Sequence, residues 1–200
     1  PLEGKLYETG IKYAPSFLDG YINLALFDLE QTNSLVSTGS GQQTQAGEVT
    51  SQGIELEGSV QATEALRLTA AYTYTDAKTN DTGNGDRQAS LIPRHQASFW
   101  GNYKVQQGPV SGLEVGTGVR YIGSSVGIGA VNADYTPIYG SAQVPAQTVW
   151  DAMIGYDFAK NWRAQVNVNN LLNDTYVASC DYYCYYGEPR SIVGSVNYRW

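Results

Sequence analysis

Polar and apolar side chains alternate along several stretches of about ten residues. The clearest stretch is 162–169, where the even positions are apolar and the odd positions are polar, and 191–200 repeats the pattern with Val193 as its one exception. A period of two residues predicts β-strands that each have one apolar face. By the same criterion we predict further strands at 6–14, 49–61, 66–75, 95–104, 113–122 and 148–158, and a strand at 21–31 that is apolar on both faces.

The segments between these strands alternate in length. Short turns are predicted at 15–20, 62–65, 106–112 and 159–161. Long, polar, glycine-rich loops are predicted at 32–47, 78–94, 123–147 and 170–190. A β-sandwich, the soluble alternative, has no reason to sort its loops by length, whereas outer-membrane barrels have short turns at one end and long loops at the other. The pattern therefore favours an all-β, antiparallel transmembrane barrel.

Aromatic residues at strand ends support a membrane-spanning fold. One apolar face ends at Tyr72 and Tyr74 and another at Tyr198 and Trp200, and tyrosine and tryptophan prefer the membrane interface. Purely apolar runs reach only a few residues, so no segment can cross as a helix, which needs about 20. The chain has 16 tyrosines, a net charge of −7 and no basic stripe, so no nucleic-acid partner is expected.

About nine strands are predicted, which is an odd number. Bacterial barrels close with an even number of strands, and open sheet edges are not tolerated in lipid. We therefore expect residues 1–200 to be the C-terminal part of a larger barrel.

Four motifs carry a resemblance to a known family. Residues 170–176, Asn-Leu-Leu-Asn-Asp-Thr-Tyr, resemble the signature that precedes the last strand of TonB-dependent outer-membrane receptors, although Leu172 stands where phenylalanine is usual. Residues 7–13, 51–57 and 93–95 match other stretches of these receptors in the same order. The resemblance implies the last nine strands of a 22-stranded barrel, with an N-terminal plug domain and the first strands absent from this sequence.

The same resemblance implies a function. The complete protein would sit in the bacterial outer membrane, among lipid and lipopolysaccharide, and would import a ferric siderophore using energy delivered by TonB with ExbB and ExbD. It would have no intrinsic cofactor, because the ferric siderophore is cargo. No nucleophile with a base and an orienting acid is visible beside the single histidine, so we do not expect an enzyme.

Residues 176–190 carry a narrower resemblance. They are similar to the last outer loop of ferrichrome-type hydroxamate receptors, with a shorter gap between the cysteines and a proline at 189. This resemblance favours a hydroxamate cargo. A catecholate, cobalamin or haem receptor and a passive porin remain the alternatives.

Cys180 and Cys184 are the only cysteines, and the relatives pair two cysteines over a similar gap. The outer surface is oxidising, so we expect a disulfide. A zinc or redox site is the alternative, but the only histidine, His95, is distant in sequence. No metal site is predicted.

Four tyrosines crowd the same loop: Tyr182, Tyr183, Tyr185 and Tyr186. They could form part of an aromatic girdle or a packed loop. They could instead contact the siderophore, because tyrosine offers a flat apolar ring and a hydroxyl. By their place in the motif, Tyr185 and Tyr186 are the better ligand-binding candidates.

We expect most of the charged residues to have structural roles. Arg190 could bind an anionic group of the ligand, but because it lies beside Glu188 we expect a structural ion pair between the two. Residues 81–86 faintly resemble a calcium loop but lack the glutamate at position twelve, so a solvated loop is predicted. The remaining charges on the polar strand faces are expected to line the lumen and to bond to the plug or to neighbouring strands: Lys12, Glu55, Glu57, Arg67, Glu114, Arg120, Asp157, Arg163 and Arg199.

Overall fold

The computed structural model describes residues 1–37, 43–81, 85–133 and 137–200. In these ranges the chain forms strands, in the order β1 Glu3–Tyr13, β2 Gly20–Ser37, β3 Gln43–Gln61, β4 Leu66–Asp81, β5 Gly85–Gln88, β6 His95–Lys104, β7 Leu113–Ile122, β8 Ser125–Val131, β9 Pro137–Val144, β10 Gln147–Ala159, β11 Trp162–Asn169, β12 Val177–Asp181, β13 Tyr183–Tyr186 and β14 Ser191–Tyr198. Within the same ranges, no helix has the length and apolar character that a membrane crossing requires.

Nine of these strands form one continuous antiparallel sheet, which we call the wall sheet. Its order is β1-β2-β3-β4-β6-β7-β10-β11-β14, and β5 adds to the outer end of β4. The predicted nine strands are therefore confirmed, and the predicted bounds of β6, β7 and β11 agree with the structure. Alternate pairs along the path are joined by the short turns, which the sequence also placed correctly: β1–β2, β3–β4, β6–β7 and β10–β11.

The wall sheet has one apolar and one polar face. Ala70, Phe99, Val119 and Trp150 lie side by side across four strands, because the register pairs each with the next. Phe99 is 47% exposed and Trp150 is 42% exposed, so no second layer of the described chain covers this face. An apolar face that stays uncovered over nine strands is typical of a barrel wall that faces lipid.

Aromatic side chains concentrate where the apolar face ends. Near the short turns, the rings of Phe158 and Trp162 lie 6.2 Å apart, and those of Trp162 and Tyr198 lie 4.9 Å apart. Toward the long connections, the hydroxyl of Tyr72 lies 2.9 Å from Nδ1 of His95. This distribution places the rings at the two interfaces that aromatic girdles occupy.

The long connections are not the irregular loops that the sequence predicted. β2 and β3 continue as a pair as far as Ser37 and Gln43, and within 123–147 strand β8 pairs with β9. The ends of β2 and β3 are mostly polar, and β8 and β9 are interrupted by glycines at 127, 129 and 140, so neither pair shows the sustained alternation of the wall strands. Pairing nevertheless satisfies their backbone groups. Residues 82–84 of the calcium-like segment lie outside the described residues, while the ends at 78–81 and 85–88 pair as strands.

Candidate functional site

The segment with the two cysteines is a short antiparallel hairpin, residues 177–186, which we call the tyrosine hairpin. Cys180 and Cys184 face each other across it and form the expected disulfide, with an S–S distance of 2.07 Å. Cys180 is only 3% exposed and lies against other parts of the outer region, whereas Cys184 is exposed. The disulfide fixes the pairing of β12 with β13 near the turn.

The four candidate tyrosines lie together on this hairpin and are exposed. The exposed fractions are 52% for Tyr182, 73% for Tyr183, 59% for Tyr185 and 74% for Tyr186. A role in binding ligand stays a prediction, but the structure does gather four accessible aromatic rings on a cross-linked support.

A second, smaller sheet holds the tyrosine hairpin above the wall sheet. This outer sheet has the order β13-β12-β8-β9, and β12 meets β8 in parallel at Asp181 and Ile128. The backbone N–H of Tyr182 donates to the carbonyl oxygen of Ile128 at 2.7 Å, and Tyr182 adopts a φ of 62°. Gly127 lies directly against the carbonyl oxygen of Cys180, where a Cβ would overlap it. The two outer hairpins are therefore in close backbone contact.

Strand β5, the segment that follows it and the β8–β9 hairpin are also joined. The guanidinium of Arg87 lies 3.4 Å from the centroid of the Tyr139 ring, a cation–π contact. The backbone N–H of Leu91 donates to the carbonyl oxygen of Val126 at 2.8 Å. Sequence reasoning missed these contacts, because nothing local in either segment identifies its partner.

The base of the tyrosine hairpin is organised by Asn170, the first residue of the 170–176 motif. Its side chain is only 2% exposed. Nδ2 donates to the carbonyl oxygens of Asp174 at 2.8 Å and Glu188 at 3.0 Å, and Oδ1 accepts from the N–H of Asp174 at 2.9 Å. The motif was recognised in the sequence, but this role for its first asparagine was not.

Asn170 is also bonded to the polar face of the wall sheet. Asp151 on β10 accepts the N–H of Asn170 at 2.9 Å. The same carboxylate accepts Nε and Nη2 of Arg120 on β7, at 2.6 and 3.1 Å. Two adjacent wall strands are thus linked to the start of the hairpin's supporting loop.

The expected pair of Arg190 and Glu188 is wrong. Among the described residues no ion pair joins them. Instead, the backbone N–H of Arg190 donates to Oδ1 of Asn173 at 3.1 Å, and the carbonyl of Glu188 accepts from Asn170. Backbone contacts to the two asparagines decide this geometry, and the side-chain charges do not.

A second polar cluster lies on the same face, near the short turns. Arg163 reaches Glu114 at 2.7 Å and Asp157 at 3.2 Å, and Lys104 reaches Asp157 at 2.8 Å. Asn102 donates to Glu114. The four charged groups of this cluster border a concavity of about 670 Å³. The prediction that inward charges bond to neighbouring strands is confirmed for this cluster and for Arg120.

Metal ligands are not grouped in the part of the chain that the structure describes. No cluster of three or more histidine, cysteine, aspartate or glutamate side chains there could hold an ion.

A family description fits this architecture. The model "TonB dependent receptor-like, beta-barrel" matches residues 1–171. The chain belongs to this family. The wall sheet is accordingly a segment of an outer-membrane receptor barrel, with its apolar face toward lipid and its polar face toward the lumen.

Two similar receptors extend over nearly the whole chain. The "Ferrichrome outer membrane transporter/phage receptor" of Escherichia coli (strain K12) is 36% identical over 208 residues, covering 100% of this chain and 27% of that protein. The "Ferrioxamine B receptor" of Salmonella typhimurium (strain SL1344) is 36% identical, covering 99% of this chain and 28% of that protein. The chain thus spans little more than a quarter of the length of these relatives.

Solved receptor structures share the fold. The ferric-catecholate import receptor Fiu from E. coli K12 has a TM-score of 0.77 at 28% identity, covering 99% of this chain and 28% of its own. The ferripyoverdine receptor of the outer membrane of Pseudomonas aeruginosa has a TM-score of 0.82 at 24% identity, covering 99% of this chain and 27% of its own. The second likeness shows the fold alone.

Proposed function

We propose that this chain, residues 1–200, is the C-terminal part of the barrel domain of an outer-membrane receptor that imports a ferric hydroxamate siderophore. The observation that carries the proposal is the tyrosine hairpin at the outer end of a receptor barrel. Support also comes from the relatives named for ferrichrome and ferrioxamine B, two hydroxamate siderophores, which match this chain from end to end.

The chemistry of the hairpin suits such a cargo. A ferric hydroxamate complex presents amide groups, methylenes and oxygen atoms on its outside. Exposed tyrosines can pack their rings on the methylenes and donate their hydroxyls to the oxygens. The disulfide and the contacts with β8 hold the rings in place, which reduces the ordering cost of binding. Tyr185 and Tyr186 are the residues we propose for contact, with Tyr182 and Tyr183 as further candidates.

Transport requires parts that lie outside this chain. Within the proposal, a plug domain fills the lumen against the polar face, and TonB, with ExbB and ExbD, pulls on the plug to open the path. The polar face would then provide hydrogen bonds to the plug. Retention of the complete receptor on immobilised TonB, and loss of iron uptake in a strain without TonB, test this step.

The cargo is tested by titrating the complete, detergent-solubilised receptor with ferrichrome and following intrinsic fluorescence. We expect saturable quenching at submicromolar concentration and none with a ferric catecholate. Tyr185→Ala and Tyr186→Ala should raise the dissociation constant about tenfold each, as expected for aromatic anchors. Tyr121→Ala, on the apolar face of β7, is the matched control and should leave binding unchanged.

A catecholate cargo is the second candidate, because the structure of a ferric-catecholate import receptor superposes on nearly the whole chain. The same titration separates the two. Quenching by the catecholate alone would replace the hydroxamate proposal, and quenching by neither would favour cobalamin, haem or a passive pore.

A further inference from the structure

We propose that Asn170 is a positioning residue, which sets the tyrosine hairpin in its ligand-binding orientation by clamping the two arms of the loop to the barrel wall. This inference rests on the proposed function, since it assigns the hairpin a ligand to orient. It concerns a residue that does not touch that ligand.

The clamp joins both sides of the hairpin at one buried side chain. Asp174 precedes the hairpin and Glu188 follows it, and Nδ2 of Asn170 donates one hydrogen to the carbonyl oxygen of each. Oδ1 accepts the N–H of Asp174, so both ends of the amide are used. The two arms are therefore held together by a single group, at the point where they leave the wall.

Asparagine is the side chain that this position requires. Asn170 adopts a φ of 51°, a left-handed conformation that asparagine tolerates better than most residues. Aspartate would accept from Asp174 but, as a carboxylate, has no hydrogen to donate to either carbonyl oxygen. Glycine would keep the left-handed backbone conformation but would remove every side-chain hydrogen bond. The Asn170→Gly variant therefore separates the contribution of the side chain from that of the backbone.

Hydrogen bonds connect the clamp both to the wall sheet and to the tip of the tyrosine hairpin. Toward the wall, the N–H of Asn170 reaches Asp151, which is held by Arg120. Toward the tip, the N–H of Gly187 donates to the carbonyl oxygen of Tyr176 at 2.8 Å, and the β12–β13 ladder continues from there to the disulfide. Tyr186 lies only two residues before Glu188, so separation of the arms would displace the proposed binding residues.

The test uses the complete receptor with Asn170→Gly as the main variant, and Asn170→Ala and Asn170→Asp beside it. Asn33→Gly is the matched control, because Asn33 also has a left-handed backbone, with φ of 62°, but sits in the β2–β3 hairpin. Three quantities are measured: the fraction assembled in the outer membrane, deuterium exchange in residues 171–190, and the ferrichrome dissociation constant per assembled receptor.

We expect Asn170→Gly to assemble normally, to exchange faster in 171–190 and to bind ferrichrome about tenfold more weakly, which corresponds to the net contribution of one or two hydrogen bonds. The Ala and Asp variants should bind at least as weakly, and the Asn33 control should match wild type. Because Asn170 acts through the tyrosines, Asn170→Gly should add little further loss in a Tyr185→Ala, Tyr186→Ala background.

Unchanged exchange and affinity in Asn170→Gly would overturn the positioning role, and so would losses that simply add to those of the tyrosine variants. If the wild-type receptor does not bind ferrichrome, the proposed cargo is refuted instead. Exchange in 171–190 would still decide the positioning role in that case, because it needs no ligand.

Discussion

Replacing Arg163 with alanine should destabilise the barrel measurably, because this side chain connects three wall strands on the luminal face. It bonds Glu114 on β7 at 2.7 Å and Asp157 on β10 at 3.2 Å from its own place on β11. The exposed fractions of the side chains are 22% for Arg163, 15% for Glu114 and 36% for Asp157. Removal would leave two partly buried carboxylates without their shared cation.

The expected cost lies between two limits. Exposed ion pairs contribute about 0–1 kcal/mol, and breaking a fully buried pair costs about 3–5 kcal/mol. The short bond to Glu114 is charge-assisted and mostly shielded, whereas the bond to Asp157 is longer and wetter, and Asp157 keeps Lys104 at 2.8 Å. We therefore expect Arg163→Ala to lower the free energy of unfolding by about 2 kcal/mol, and Arg163→Lys by roughly half as much.

The assay is urea unfolding of the complete receptor in detergent micelles, followed by tryptophan fluorescence. Arg67→Ala is the matched control, because Arg67 lies 3.9 Å from Asp19 with both side chains more than half exposed. Arg67→Ala should lower the free energy of unfolding by less than about 0.5 kcal/mol, and added salt should abolish even this difference from wild type. Equal losses in Arg163→Ala and Arg67→Ala would refute the claim that shielding on the luminal face makes the Arg163 cluster stabilising.

Three further changes test other parts of the structure. Cys184→Ser should destabilise the hairpin by about 2 kcal/mol, the chain-entropy value for so small a loop. It should also weaken ferrichrome binding while assembly stays normal, and unchanged binding would show that recognition does not depend on the disulfide. Gly127→Ala should part β8 from β12, because its Cβ would overlap the carbonyl oxygen of Cys180, and deuterium exchange of the Tyr182 N–H should rise. Ile154→Lys, on the lipid-facing side, should cost about 2–4 kcal/mol in urea unfolding, whereas Ser195→Lys, on the luminal side, should cost less than about 1 kcal/mol; similar costs would contradict the assignment of the two faces.

The wall strands and their short turns could be predicted from the sequence, and so could the two faces of each strand except β2, which is apolar on both. Alternation is a local property, since successive side chains of a strand point to opposite sides. The face on which a residue such as Val166 lies can therefore be predicted from its immediate neighbours in sequence. The disulfide could be anticipated for a related reason, because the chain offers only two cysteines and they are close in sequence.

The outer region could not be read in this way. Its strands are short and interrupted by glycines such as Gly127 and Gly129, so 123–147 was predicted to be a loop although β8 and β9 pair within it. The contact between Ile128 and Asp181 joins residues more than fifty positions apart, and no local pattern encodes that pairing.

The tertiary structure alone decided which polar groups meet. Sequence proximity suggested that Arg190 pairs with Glu188, yet backbone bonds to Asn173 and Asn170 direct both residues elsewhere. Asn170 itself was visible as part of a motif, but its partners lie before and after the hairpin and become neighbours only when the loop closes. Alternation specifies a strand's faces locally, whereas hydrogen-bond partners depend on register and loop closure, which bring together residues that are distant in sequence.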